Sequence, residues 1–139
     1  MTQPAHLFFY GVLQESVARW PFLEGLGQGS PATTRGLLYV IPSGSTWYPA
    51  LIASEAGEAV TVHGAVHAAS QVDIGPVDAF EGADYARQEL PIERADGSGP
   101  NKADVYVWIA ELPDGAERIE HGDFARWLKE TGRKPYSGG

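Results

Sequence analysis

Glu81 is the residue of this sequence whose type and position best suit proton transfer. Val77 and Phe80 stand three residues apart, as on one face of a helix, and Gly82 is of a type that often ends helices. Glu81 is therefore predicted to lie in the last turn, where the negative end of the helix dipole disfavours a charged carboxylate. A glutamate that takes up protons more readily than usual is a candidate general base. On the local pattern alone, a solvated helix-end glutamate is the more frequent case.

A second candidate is the bend after the first apolar run. Residues 7–10 are typical of a buried strand, Gly11 interrupts them, and a short helix is predicted over residues 14–20. Gly11 is expected to allow a backbone conformation that other residues avoid. A strand, a glycine turn and a helix in this order direct backbone N–H groups outward, where they could hold a carboxylate or an oxyanion. An ordinary tight turn is the more frequent explanation of one such glycine.

The composition excludes several classes of function. The 139 residues are 43% hydrophobic, which predicts one domain over residues 1–139, with a mobile tail from about residue 133. Ten Lys and Arg against 18 Asp and Glu give a net charge of -8 without a basic run, so nucleic acid is not expected as a partner. The lack of cysteine favours a reducing compartment. Since no membrane span or signal peptide is recognisable, a cytoplasmic protein is expected.

Two histidines on a predicted strand are the best pair of metal-ligand candidates. Residues 60–68 alternate in character, so His63 and His67 share a face. Four residues along a strand separate them by about 13 Å, which is too far for one ion. Both are predicted to be surface histidines, and no metal site is predicted. Gly64 leaves room for the close approach of a neighbouring strand or a substrate.

The last third of the chain predicts a hairpin and a helix. Residues 85–95 and 101–110 are typical of two strands, and Ile109 is placed on the same face as the valines of the second strand. Further on, Asp123 suits a helix N-cap, Phe124 and Trp127 follow helical spacing, and Gly132 suits the stop.

Five short motifs in sequence order resemble those of a known family. They are residues 8–13 (FFYGVL), 48–51 (YPAL), 62–66 (VHGAV), 77–82 (VDAFEG, followed by Tyr85 and Arg87) and 119–124 (IEHGDF). Together they make the chain similar to the γ-glutamylcyclotransferase-like, or AIG2-like, family from residue 7 to about residue 128. The first motif resembles that family's Tyr-Gly-Thr-Leu or Tyr-Gly-Ser signature, but Val12 stands where the family usually has Thr or Ser.

This resemblance implies a fold, an activity and a set of site residues. Family members are α+β proteins with a small closed mixed β-barrel and flanking helices, and many convert a γ-glutamyl group to 5-oxoproline while releasing its amine. The implied site consists of the general acid/base Glu81 and the substrate-binding residues Tyr10, Gly11, Val12, Leu13, Tyr48 and Tyr85. The reaction requires no metal or organic cofactor, so none is expected, and the expected partner is a small γ-glutamyl compound.

Other functions and roles stay open at this point. Since Val12 lacks a hydroxyl, the chain could instead be a binding or regulatory module that keeps the pocket without turnover. Alternatively, Glu81 could activate water in an amide hydrolase or serve an acyl transferase. Arg87 either binds a substrate carboxylate or pairs structurally with Asp78, Asp84 or a carbonyl, and the second is the more common case.

Overall fold

The computed structural model describes residues 5–11, 29–53, 57, 59–69, 75–97 and 101–135, and of Phe80 and Glu81 it describes the backbone. These residues form one large sheet with two helices. The elements are β1 (His6–Phe9), β2 (Ser30–Ser43), β3 (Thr46–Ala53), β4 (Val60–Ala68), α1 (Gly75–Glu81), β5 (Tyr85–Pro91), β6 (Glu93–Arg94), β7 (Lys102–Trp108), β8 (Glu117–Arg118), α2 (Phe124–Thr131) and β9 (Lys134–Pro135).

The sheet is mixed and open. Its strands lie in the order β5-β7-β1-β4-β2-β3-β9, and β6 and β8 pair with parts of β2. Neighbours are antiparallel except for β1 with β7 and β3 with β9. The predicted α+β class with a mixed sheet is confirmed. The predicted closure into a barrel is wrong, because no backbone ladder joins β5 or β7 to β3 among the residues that the structure describes.

Tyrosine hydroxyls connect the two flanks of the sheet where a ladder would have closed it. The Tyr85 hydroxyl on β5 donates to the Pro49 carbonyl on β3 at 2.6 Å. The Tyr10 hydroxyl accepts from the Leu51 N–H of β3 at 3.1 Å and donates to the Tyr106 carbonyl of β7. Pro49 itself has no N–H to offer a ladder. Side chains thus hold the sheet in its curved shape at this position.

Both helices pack against the sheet through one main core. Val77 of α1 is buried together with Phe124 and Trp127 of α2 and the whole of the apolar run in β1. A smaller buried cluster lies around Trp108 and Ile41. Because α1 reaches the main core through Val77, its position is coupled to the packing of the sheet.

The helix α2 begins and ends as its sequence predicts. The Asp123 carboxylate accepts a hydrogen bond from the Arg126 N–H at 3.2 Å, which makes Asp123 the N-cap. Gly132 has a φ of 70° and donates its N–H to the Leu128 carbonyl at 2.9 Å. The predicted cap and stop are therefore confirmed.

A short strand follows α2 and pairs with β3. Arg133 lies over the rings of Trp47, at 4.4 Å, and of Trp127, at 5.2 Å, and its guanidinium pairs with Glu117 at 2.8 Å. Lys134–Pro135 then pairs in parallel with the first residues of β3. The tail predicted to be mobile begins at Arg133, and residues 136–139 lie outside the described residues.

Three local predictions about strands are wrong. His67 is only 3% exposed, with its ring 5.4 Å from that of Phe9, because β1 covers this part of β4, whereas His63 is exposed as expected. The sequence predicts a strand over residues 32–41 that Pro42 ends, but β2 continues through Pro42 to Ser43. Ile109 is 57% exposed because β7 ends one residue earlier.

Two further expectations can be compared with the structure. A Cβ on Gly64 would lie 2.8 Å from Phe8 Cζ and closer still to the Phe9 carbonyl, so a neighbouring strand accounts for the glycine. The helix predicted over residues 14–20 lies outside the described residues. Neither of the two described helices is long and apolar enough to cross a membrane.

Candidate active site

The bend after β1 is held by a close contact rather than by an unusual backbone. A Cβ added to Gly11 would lie 2.8 Å from Pro49 Cδ and closer still to Pro49 Cγ. Gly11 is not one of the described glycines with a positive φ. The expectation that it takes a conformation closed to other residues is therefore wrong. Glycine is required here because the ring of Pro49 occupies the space of a side chain.

Tyr10, the residue before this glycine, is buried in the main core. Its hydroxyl contacts Leu51 on one flank of the sheet and Tyr106 on the other. A buried hydroxyl needs such partners, because an unpaired one would cost about 1–3 kcal/mol. Tyr10 therefore fixes where the bend begins, and its hydroxyl is engaged within the protein.

Tyr48 and Tyr85 lie beside the bend, against the smaller cluster. The Tyr85 ring stands nearly perpendicular to the Trp108 ring, with centroids 5.1 Å apart, and the Tyr48 ring lies 6.3 Å from the same ring. Pro49 connects them to the bend, since it accepts from the Tyr85 hydroxyl and packs on Gly11. The structure thus brings together four of the predicted substrate-binding residues, including Tyr10. The other two, Val12 and Leu13, lie outside the described residues.

The helix α1 ends at Glu81, as its sequence predicts. Gly82 follows with a φ of 81° and donates its N–H to the Asp78 carbonyl at 3.1 Å. A left-handed glycine with this bond is a common way to end a helix. Glu81 thereby has the predicted position in the last turn, while its side chain lies outside the described residues.

Asp78, one turn before Glu81, ties α1 to two strands. Its carboxylate accepts a hydrogen bond from the Tyr106 hydroxyl of β7 and lies 3.6 Å from Arg87 Nε of β5. Arg87 is only 14% exposed, and its Nη1 lies 3.7 Å from Asp104. Of the two interpretations of Arg87, the structure shows the ion pair with Asp78. A guanidinium that is largely removed from water needs opposite charge nearby, and Asp78 and Asp104 supply it.

Tyr106, Asp104 and Trp108 take part in this arrangement, although the sequence did not single them out as site residues. A signal was present, because Tyr106 and Trp108 alternate with valines along β7. All the residues of β7 from Val105 to Trp108 are buried, so both faces are covered. Which element covers each face is a long-range property that the alternation does not specify.

The described residues contain no group of three or more His, Asp or Glu placed to hold a metal ion. The chemistry available in this region is that of carboxylates, tyrosine hydroxyls and backbone amides.

The described residues combine an open mixed sheet, a Tyr-Gly bend after its first strand and a short helix that ends at Glu81. Comparisons with known proteins assign this combination to a family. The family model described as "Gamma-glutamyl cyclotransferase, AIG2-like" matches residues 7–127. The chain therefore belongs to the AIG2-like γ-glutamyl cyclotransferase family.

Individual relatives are similar over most of this chain. Protein AIG2 C of Arabidopsis thaliana is 28% identical over 126 residues, covering 90% of this chain and 73% of the relative. The crystal structure of a mouse AIG2-like protein has a TM-score of 0.72 at 18% identity and covers 98% of this chain and 97% of its own. YkqA of Bacillus subtilis has a TM-score of 0.69 at 21% identity over 93% of this chain, which spans only 42% of that protein. At these identities the two structures show a shared fold.

Proposed function

We propose that the protein is a γ-glutamyl cyclotransferase that releases 5-oxoproline and a free amine from a γ-glutamyl amine or a small γ-glutamyl peptide. Membership of the family supports this, since the matched residues 7–127 include both the bend and the end of α1. The observation that carries the proposal is that Tyr106 contacts both features. Its carbonyl accepts from Tyr10 at the bend, and its hydroxyl donates to Asp78 in α1. The substrate-holding and proton-transferring elements would then face one small region.

In the proposed mechanism, Glu81 acts as general base and then as general acid. The substrate's α-amino group is mostly an ammonium near pH 7, so it attacks only after Glu81 has removed a proton. The amine nitrogen then forms a bond to the γ-carbonyl carbon and gives a tetrahedral oxyanion. The bond to the leaving nitrogen breaks as Glu81 returns the proton to it. The ring nitrogen still carries a second proton after the attack and loses it to the released amine. The products are 5-oxoproline and the amine as an ammonium ion, and Glu81 ends as the carboxylate with which it began.

Nucleophile and electrophile belong to the same molecule, which explains why positioning matters most. Holding the two in an attack geometry can contribute about 7–11 kcal/mol of the barrier. Backbone N–H groups at the Gly11 bend are the proposed donors to the substrate carboxylate or to the oxyanion. Removal of one oxyanion donor typically costs about 2.7–4 kcal/mol. Pro49 packs against the bend at Gly11 and leaves no space for a side chain there, which suits a bend whose backbone faces a substrate.

The proposed substrate-binding residues are those predicted from the sequence, namely Tyr10, Gly11, Val12, Leu13, Tyr48 and Tyr85. A valine at position 12 cannot donate the hydrogen bond that a Thr or Ser would. A site without such a group discriminates weakly against substrates that lack its partner. We therefore expect a preference among γ-glutamyl amines that differs from that of relatives with a hydroxyl at this position.

The proposal is tested by incubating the protein with a panel of γ-glutamyl amines and dipeptides and measuring 5-oxoproline. Glu81→Gln should lower kcat by about 10²- to 10⁴-fold, the usual contribution of general acid–base catalysis, with little change in melting temperature. The matched control is Glu89→Gln, which makes the same chemical change in an exposed side chain of β5 that pairs with Lys102. That control should keep the activity of the wild type.

Other results would replace the proposal. Free glutamate instead of 5-oxoproline would indicate an amide hydrolase, and binding without turnover would indicate a binding module. A large fall in melting temperature for Glu81→Gln would show that Glu81 has a structural role instead.

A further inference from the structure

Asp78 is held both through its side chain and through its main-chain carbonyl. Its side chain accepts from the Tyr106 hydroxyl and lies within ion-pair distance of Arg87, at 3.6 Å. Its main-chain carbonyl accepts the Gly82 N–H that closes the last turn of α1, at 3.1 Å. Since Glu81 lies between these two residues in the same turn, any shift of Asp78 moves the backbone of Glu81 with it.

The fixed end of this arrangement is the paired hairpin of β5 and β7. Arg87 pairs in register with Tyr106, so both side chains that reach Asp78 come from directly opposite positions of one ladder. Arg87 Nη1 also lies 3.7 Å from Asp104, which is within ion-pair distance but too far for a hydrogen bond. Only 14% of the Arg87 side chain is exposed, which limits the screening of its ion pairs by solvent. The hairpin therefore contacts α1 through one hydrogen bond, from Tyr106, and one ion pair, from Arg87.

Tyr106 also contacts Tyr10 at the bend, but through its main-chain carbonyl and not through its hydroxyl. The Tyr10 hydroxyl donates to the main-chain carbonyl of Tyr106, whereas Asp78 receives the phenolic hydroxyl of Tyr106. Removal of that phenolic hydroxyl leaves the carbonyl, and with it the contact to the bend, unchanged. The two connections can thus be separated by mutation.

We propose that Asp78, Arg87 and Tyr106 form a tether that positions α1, and through it Glu81, relative to the bend at Gly11. The inference rests on the proposed function, because it assigns these three positioning residues to the general acid/base of that reaction. None of them is required to touch the substrate. Their contribution is to keep the proton-transferring group at a fixed distance from substrate held at the bend.

The tether predicts a specific kinetic pattern for Tyr106→Phe. The variant should lower kcat by about 10-fold or more, since a misplacement of about 1 Å can cost about 10²-fold. KM should stay within about twofold of the wild type, because the bend keeps its contact to the Tyr106 carbonyl. Tyr10→Phe removes the contact to the bend instead, so it should raise KM more than it lowers kcat.

Two substitutions at Asp78 test whether an oxygen at this position is enough to keep part of the activity. Asp78→Asn keeps an oxygen that can accept from the Tyr106 hydroxyl, whereas Asp78→Ala keeps none. The loss of kcat should therefore be smaller for Asp78→Asn than for Asp78→Ala. Glu89→Gln is the matched control, since Glu89 and Lys102 also form an ion pair between β5 and β7, at 3.7 Å, but both side chains are exposed. This control should keep the kcat of the wild type.

A second readout does not depend on turnover. Hydrogen exchange of the Gly82 amide, which donates to Asp78, should be faster in Tyr106→Phe and Asp78→Ala than in the wild type or in Glu89→Gln. Faster exchange together with the fall in kcat supports the tether. Unchanged exchange overturns it, and so does faster exchange with an unchanged kcat, because α1 would then loosen without consequence for the reaction.

The failure of the proposed function would look different. A wild-type protein that releases no 5-oxoproline from any member of the panel would overturn the cyclotransferase proposal and with it the catalytic purpose of the tether. An active wild type whose Tyr106→Phe variant keeps both kcat and KM would overturn the tether alone.

Discussion

Gly11→Ala is the substitution that most directly tests the contact at the bend. The added Cβ would lie 2.8 Å from Pro49 Cδ and closer still to Cγ, whereas carbon atoms normally approach to about 3.5–4.0 Å. The bend or β3 must therefore move by roughly 1 Å. Overpacking of this kind usually costs about 1–3 kcal/mol. For a chain of this size that cost corresponds to a melting temperature lower by roughly 4–12 °C.

The clash can be removed from the other side. Pro49→Ala deletes Cγ and Cδ and leaves Pro49 Cβ, which lies 3.5 Å from the added atom, within ordinary contact distance. In the double variant Gly11→Ala/Pro49→Ala, the cost of the alanine should nearly disappear. A double-mutant cycle should then give a coupling free energy of about 1–3 kcal/mol between positions 11 and 49.

Thermal or denaturant unfolding of the four proteins in the cycle measures this coupling, and the activity assay follows the bend. Gly57→Ala is the matched control, because no atom of the described residues lies within 4 Å of a Cβ at Gly57 and its φ is not in the left-handed region. It should unfold like the wild type. If Gly11→Ala also unfolds like the wild type, or if Pro49→Ala fails to rescue it, the contact does not determine the choice of glycine.

Two further perturbations test contacts elsewhere in the fold. Tyr85→Phe removes the 2.6 Å hydrogen bond to the Pro49 carbonyl but keeps the ring against Trp108. It should therefore lower the free energy of unfolding by about 0.5–1.5 kcal/mol. An unchanged unfolding curve would contradict the role of this hydrogen bond in connecting β5 to β3. The hydrogen bond from Arg126 holds the pKa of Glu130 below its ordinary value of 4.5, so the stabilisation it gives is present above that pH and is lost as the pH falls through the lowered pKa. The difference in melting temperature between the wild type and Glu130→Gln should therefore shrink on acidification below about pH 4.5, and a difference that grows there would contradict the assignment.

Local features of this fold were predictable because neighbouring residues determine them. The end of α1 at Gly82 and the cap of α2 at Asp123 depend on residues a few positions apart, and both are as expected. The strand at residues 60–68 and the hairpin pairing of β5 with β7 follow from alternation and turn residues.

Contacts between distant parts of the chain were not predictable in the same way. The burial of His67 depends on β1, which is about 60 residues away in sequence and lies beside β4. Glycine at position 11 is explained by Pro49, and no pattern around residue 11 contains that information. The partners of Asp78 on β5 and β7 were only partly anticipated, since Arg87 was considered but Tyr106 was not. Closure of the sheet into a barrel was expected from the family resemblance. Hydrogen bonds of tyrosine hydroxyls, and not a backbone ladder, connect the two flanks of the sheet instead.

The doubly bonded hydroxyl of Tyr10 has a consequence for how uniquely the chain folds. Apolar side chains tolerate small sliding movements, because their attraction hardly depends on direction. The Tyr10 hydroxyl does not tolerate such movements, because it must accept from Leu51 on β3 and donate to Tyr106 on β7. Either hydrogen bond weakens steeply when its angle departs from the preferred geometry. Satisfied polar groups in an apolar interior select one arrangement among several of similar compactness. The Tyr10 hydroxyl therefore helps to specify how β3 and β7 are placed relative to each other.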